Sequence, residues 1–445
     1  MTVGTDVKKP ISLKDCCVYF DNNRTDDTDD GEVDKFVGLK YINNELKIYF
    51  PVGYKQDPNE DDKAIRKNIL NLVSVLSSFS EKFGMLTAAD ILSSSKEVQF
   101  PIHAYLFIIS DFLNRGYYTK KESQYRKDIS GKINWSRTIK HIRPQICNED
   151  AVYFNFITRH TDYNQSQLIS QIHRYCVYEC FTKIGYLFSS FVPQKPAIKF
   201  NKTLFTAIVR NEAANTFNEN NLLLFKNMID VINYLDDSNE NENYIFGTNN
   251  FHHIWEALVD SVYGESDKDN YYPKVYWKRK GEEVFDSSNS KYNSLRPDTI
   301  MITQRGKPEQ KIFVLDSKYY RYGATSNPSH LPGSESVVKQ FAYAQYIDKQ
   351  CSPEEKATCR IPKDIQQQTT SQNIYNAFIM PADCEAPQNI GYVSADYILS
   401  QKLTTPKHSY DKIYGILLDV KTLMFNHIPQ DKNAIAILAK TIEEC

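Results

Sequence analysis

The sequence predicts an α/β protein, a mixed sheet flanked by helices over 244–445, preceded by an α+β amino-terminal region. Three observations predict it. First, 299–302 and 312–315 are short apolar runs joined by Gln304, Arg305, Gly306, Lys307 and Pro308, which supply turn chemistry, so the segment reads as a β-hairpin. Second, 374–380 (IYNAFIM, closed by Pro381) and 413–418 (IYGILL) are continuous apolar runs of the length of buried strands. Third, 250–263 carries Phe251, Ile254, Trp255, Leu258, Val259 and Val262 at helical spacing, and 337–347 reads as a helix after the hairpin. The order is therefore helix, hairpin, helix, strand, strand.

The chain of 445 residues is 41% hydrophobic, enough for two or three domains with real cores. A net charge of -2 gives no global sign of a polyanion partner, so a nucleic-acid surface must be a local patch. Nine cysteines are scattered without CxxC pairs, unlike a secreted disulfide framework, and a reducing cytoplasm is expected. Cys176 and Cys180, four apart on a helix, suit two packed thiols. The chain opens without a charged-then-apolar leader and no apolar run approaches membrane-spanning length, so no membrane association is expected.

In chain order, 1–100 reads as a β-rich amino-terminal domain with a helix: strands near 17–20, 36–40 and 46–50, then a helix over 63–83. The acidic run Asp26, Asp27, Asp29, Asp30, Glu32 and Asp34 lacks Ca²⁺-loop spacing and reads as a solvated loop. Residues 101–195 form a helical, winged-helix-like basic region. A helix over 102–114 precedes the most basic window of the chain, 120–143, which carries Arg126, Lys127, Lys132, Arg137 and Lys140 interleaved with Tyr117, Tyr118, Tyr125 and Trp135. A helix over 134–140 followed by a strand over 152–157 is compatible with a DNA reader; a solvated basic face or protein-docking surface reads the same residues equally well. Residues 165–191 are helical, and 196–243 is a helical connector, one long helix or two broken near 212–220, ending in the polar linker 236–243.

The hairpin concentrates the chemistry. Asp316 and Lys318, two apart on a strand, face the same way, and Asp298 on the neighbouring strand can lie beside them. Two carboxylates at a sheet edge suit a hard divalent cation whose other positions go to water and phosphate, and the lysine can orient or deprotonate an attacking water. A cation nearby would also lower the lysine pKa. Glu256 sits off the centre of the apolar stripe of its helix and reads as a metal ligand, as support for one, or as a solvated carboxylate. His252 and His253 face different directions and do not make a zinc site. Gln340 and Tyr343 share a helix face, as auxiliary groups for water or phosphate or as ordinary surface, and 323–333 is a loop able to rearrange over a substrate.

Pro297-Asp298 and Asp316-Ser317-Lys318, in this order of elements, resemble the restriction-endonuclease-like PD-(D/E)xK core. Further blocks, Phe36-Val37-Gly38-Leu39, Ile48-Tyr49-Phe50-Pro51-Val52-Gly53-Tyr54, the run from Gly131 through Trp135 to Ile139, and Phe251 to Glu256, resemble LlaJI-type restriction endonucleases over most of the chain. The resemblance implies a type II-like enzyme, or its cleavage subunit, hydrolysing double-stranded DNA with Mg²⁺. Its organisation would be similar to McrC nuclease subunits that work with a McrB-like GTPase, and a GACGC-type site is associated with such systems. It implies that Asp298, Asp316 and Glu256 bind the metal and that Lys318 positions water. No GxxxxGK[ST] is present, so any nucleotide hydrolysis belongs to a partner. A repair or structure-specific nuclease, and a nuclease-like binding or assembly subunit without turnover, are the competing readings.

Overall fold

A computed structural model describes residues 13–20, 36–43, 45–55, 57, 59–83, 100–147, 150–164, 167–189, 191–235, 243–273, 280, 296–352, 359–395 and 407–444; of 80–83, 121–124 and 161–164 it describes the backbone alone. The acidic run 26–34 and nearly all of the linker 236–243 lie outside the described residues. The chain forms two compact units. One comprises 1–41, 45–96 and 245–445, the other 42–44 and 97–244.

The first unit is a mixed α/β body. Its larger sheet has five strands: β1 (Thr299–Thr303), β2 (Lys311–Ser317), β3 (Ile374–Ala382), β4 (Gln388–Val393) and β5 (Ile413–Asp419), in the order β1-β2-β3-β5-β4. The expected hairpin is the antiparallel pair β1/β2, with Thr299 opposite Leu315 and Thr303 opposite Lys311. β3 and β5 are parallel additions, and β4 returns antiparallel with a register irregularity between Asn389 and Tyr392. The apolar runs are continuous because these inner strands are covered on both faces. On one face Ile300, Ile302, Ile312 and Val314 bury against Tyr343, Ala344 and Ile347 of α2 (Ser334–Cys351). Phe313, on the other face, stacks on Tyr375 with ring centroids 5.2 Å apart. Truncating Ile312 to Ala in such a core costs about 2–5 kcal/mol.

Helix α1 (Phe251–Tyr263) buries its apolar stripe, and Trp255 donates its indole N–H to the Ile379 carbonyl at 3.4 Å. The amino-terminal strands belong to this same unit. Cys17–Val18, Glu45–Tyr49, Val37–Ile42 and Tyr244–Thr248 form a four-stranded sheet in that order, and the helix Asp62–Phe83 follows. The turn after Tyr49 is built into the larger sheet: the Val52 N–H donates to the Tyr319 hydroxyl at 2.7 Å. Gly53, at φ +80, brings its backbone so near Ala382 that a Cβ would meet the Ala382 nitrogen at 2.8 Å. That approach needs glycine for both space and left-handed backbone.

The second unit is mostly helical. Ile102–Arg115, Leu168–Ile184, Lys202–Ala214 and Glu219–Tyr234 pack around Ile108, Ile109, Ile172, Val177, Phe225 and Met228. The connector is thus two helices, and Cys176 and Cys180 are buried thiols of this core. The basic window is more strand-rich than expected. Lys120–Lys127 pairs antiparallel with Ile157–Asn164, which also pairs with Lys132–Ile133, and the helix Trp135–His141 follows, its start capped by Asn134. The expected strand at 152–157 is instead split between Asp150–Val152, paired with Gln145–Cys147, and the start of Ile157–Asn164. The segment 323–333 holds two short helical turns, Tyr322–Thr325 and Pro328–His330, rather than an open loop.

Candidate active site

The candidate site forms where β1 begins and β2 ends. Continuing the hairpin register by one step sets Asp298 opposite Asp316. Asp298, Asp316 and Lys318 therefore extend the face that Ile300, Ile302, Ile312 and Val314 present to α2. The Ser317 N–H donates to Asp298 Oδ2 at 2.8 Å, and Lys318 Nζ lies 2.7 Å from Asp316 Oδ2. Lys318 is itself fixed by its N–H, which donates to the Ile379 carbonyl at 2.8 Å. Asp316 is 7% exposed, so these charges meet in a place largely shut off from water.

The electrostatics follow from that crowding. Burial, then the Asp316 and Glu256 carboxylates and a hydrogen bond with Asp316, push Asp298 up to about 8, against the Ser317 N–H that favours its ionised form. Glu256 is also raised, first by burial; His253, with Nδ1 3.5 Å from Glu256 Oε2, works the other way, and Asp316 adds to the rise. For Lys318, burial works downwards, but Asp316 beside it, with Asp298 and Tyr320, carries the net shift upwards. The lysine is held here as an ammonium ion, not poised as a neutral base.

Gln340, fully buried on α2, donates from Nε2 to the Val314 carbonyl at 2.6 Å, which ties α2 to the strand carrying Asp316. Tyr343, buried on α2 in the core beneath the hairpin, is pushed up to about 12 by burial and then by Asp316 and Asp298. Gln340 Oε1 and Ser317 Oγ are buried without hydrogen-bond partners among the described residues.

These residues fit a hard cation of the Mg²⁺ kind. Among the described residues no three His, Cys, Asp or Glu side chains are gathered closely enough to cage a metal. Mg²⁺ does not require a cage: one or two carboxylates suffice when water and phosphate take the other positions. A facing Asp pair, in which burial and then Asp316 raise Asp298, offers that. Glu256 interacts with the pair but is engaged by His253.

Sequence comparison decides the family. A profile of the LlaJI restriction endonuclease matches residues 36–421. The chain belongs to the LlaJI restriction endonuclease family. Within curated proteins it is similar to the type II restriction enzyme BsuMI component YdjA of Bacillus subtilis (strain 168), at 23% identity over 328 residues, 69% of this chain and 64% of that protein. The match thus spans under two thirds of that relative's length. Among solved structures, a chain from an assembly of Thermococcus gammatolerans McrB AAA+ hexamers with bound McrC aligns over 92% of this chain and 82% of that one at 14% identity. Its TM-score is 0.34, a likeness that carries no structural argument.

Two residues next to the site escaped sequence reasoning. Asp260 lies one helical turn beyond Glu256 on α1 and accepts from Lys268 Nζ at 2.6 Å, while the same ammonium donates to the Asp298 carbonyl at 2.7 Å. The i, i+4 spacing of Glu256 and Asp260 was a usable signal. Lys268, in a polar turn, offered none.

Proposed function

We propose that the chain is the cleavage subunit of a restriction system: a PD-(D/E)xK endonuclease that hydrolyses phosphodiester bonds of double-stranded DNA with Mg²⁺. The observation that carries the reading is the register of the hairpin, which faces Asp298 with Asp316 and leaves Lys318 2.7 Å from the second carboxylate. Asp298 and Asp316 would hold the metal, with Glu256 completing the set from α1. The bound cation would neutralise charge on the scissile phosphate and favour a hydroxide nucleophile near neutral pH. Lys318, held protonated by Asp316, orients the attacking water and steadies the phosphate rather than removing a proton. Gln340 fixes the strand through Val314, and Tyr343, whose phenol feels both Asp316 and Asp298, would be an auxiliary group.

The family and the relative's description as a component of a type II restriction enzyme support a reading in which further subunits take part. A McrB-like GTPase is the partner we propose, in the cytoplasm, and a GACGC-type site is the first target sequence to test. The division 1–100, 101–195, 196–243 and 244–445 remains the working assignment of domains for truncation. Arg126, Lys127, Lys132, Arg137 and Lys140 are proposed to contact DNA; Arg137 lies over the Tyr125 ring at 3.8 Å, a cation–π pair at the surface.

The test is cleavage of plasmid carrying GACGC sites by the purified protein with Mg²⁺, with and without the partner and GTP. Metal-dependent cutting that requires Asp298 supports the reading. Equal cutting in excess chelator overturns it.

A further inference from the structure

We infer that Lys268 is a positioning residue that sets the spacing between the two elements carrying the candidate metal ligands. The inference rests on the metal-dependent reading above and adds to it a brace outside the carboxylate set.

Glu256 stands on α1 and Asp298 immediately before β1, with 264–297 between them in sequence. Lys268 joins them with one ammonium group, donating to Asp260 Oδ2 at 2.6 Å and to the Asp298 carbonyl at 2.7 Å. Asp260 is four residues after Glu256, hence on the same side of α1. Its second oxygen accepts from the Thr299 hydroxyl at 3.2 Å, and Thr299 is fully buried. Asp260, Lys268, Thr299 and the Asp298 backbone thus close a ring from one ligand-bearing element to the other. The Lys268 side chain is 16% exposed and that of Asp260 32%, so the pair is partly shielded from the solvent that makes fully exposed pairs nearly worthless.

The turn between them is shaped for this. A Cβ at Gly264 would meet the Asp260 carbonyl and Oδ1, both at 2.4 Å, so the chain folds back against the carboxylate only because that position is glycine. The Glu265 N–H then donates to the Ile300 carbonyl at 2.8 Å, laying the returning segment along β1. At its other end, Arg305 holds Glu265 and Asp267, at 2.5 and 2.7 Å. Arg305 thus secures the segment that carries Lys268 to the hairpin turn, whereas the Lys311–Glu443 ion pair, at the opposite end of β2 from Asp316, lies outside the ring and serves as an internal control.

A brace predicts an effect on metal affinity; an ordinary ion pair predicts an effect on stability alone. The probe is Mn²⁺ or Mg²⁺ titrated against the full chain without DNA, read by calorimetry and by the metal-induced rise in melting temperature. Lys268→Met should weaken metal binding about tenfold or more, as loss of groups that orient ligands does. Thr299→Val, which removes one hydrogen bond at nearly constant volume, should weaken it less and serves if Lys268→Met does not fold. Lys268→Arg should recover part of the loss. Lys311→Met, which breaks the ion pair with Glu443, should lower the melting temperature and leave metal affinity unchanged. Wild-type affinity in both Lys268→Met and Thr299→Val, or in Thr299→Val alone should Lys268→Met not fold, overturns the brace while leaving the metal site standing. Absence of any metal response in the wild-type chain, with Asp316→Asn indistinguishable from it, overturns the metal-dependent reading and the brace with it.

Discussion

The end of the hairpin and the lobe at 120–164 both gather charge, and they do so in opposite ways. At the hairpin, acidic groups crowd against one another and one ammonium, so that burial and then the neighbouring carboxylates push Asp298 up to about 8, while Glu256 and Lys318 are also raised. In the lobe, Lys127, Lys132, Arg137 and Lys140 are exposed, beside exposed Ile129, Trp135, Ile139, Ile146 and Phe154. Buried crowding of like charges costs stability and is the pattern that perturbed functional sites show, whereas exposed charge and aromatic surface costs the fold little and is the pattern of interaction surfaces. On the proposed function, the difference would separate a place for chemistry from a surface for DNA or a partner.

The largest expected effect lies at the hairpin. Asp316→Ala and Lys318→Ala should each lower the cleavage rate by about 10²–10³-fold or more while leaving DNA affinity near that of the wild type, as single-turnover cleavage and equilibrium binding would show. The converse change, Lys132, Arg137 and Lys140 together to Ala, should weaken DNA binding and reduce the slope of log affinity against log salt by about three, with metal affinity untouched. An unchanged slope would return the lobe to a protein-docking role.

Two smaller effects sharpen the electrostatic half of the comparison. Below a pKa of about 8 the metal-free site keeps a proton on Asp298, so metal binding at pH 7 should release close to one proton and affinity should climb as pH rises towards 8, then level off. Calorimetry in buffers of different ionisation enthalpy measures this; no proton release at pH 7 would contradict the crowding. The same raised pKa means that the folded state holds a proton the unfolded chain has lost above the ordinary carboxyl range. Metal-free stability on this account falls as pH rises from the unfolded pKa, near 4, to about 8. Asp298→Asn should therefore stabilise the metal-free protein at pH 8 by about 0.5–2 kcal/mol while abolishing cleavage.

Much of the first unit was legible because its strands and helices carry their own apolar pattern. The hairpin, the runs at 374–380 and 413–418, α1 and α2 all stand where periodicity puts them. Lys120–Lys127 was not legible as a strand: KKESQYRK has no alternating apolar face, and it exists by pairing with Ile157–Asn164. β4, reading QNIGYV around a glycine, was missed for the same reason. Nor could local pattern reveal that the amino-terminal strands share a unit with the larger sheet, since Val52 meets Tyr319 across 267 positions. In the site, Asp298, Asp316 and Lys318 were legible because strand alternation and a short turn fix their spacing. The Asp260–Lys268 brace depends on how a polar turn folds back, which no periodicity encodes.

The most direct measurement is metal-dependent hydrolysis at the hairpin itself. Plasmid DNA is incubated with Mg²⁺ and the partner, using wild-type chain, Asp316→Ala and Lys318→Ala, each verified as folded. Linear or nicked product from the wild type, lost in both variants and in chelator, is the predicted result. Equal cutting by all three proteins would contradict the assignment of chemistry to Asp316 and Lys318.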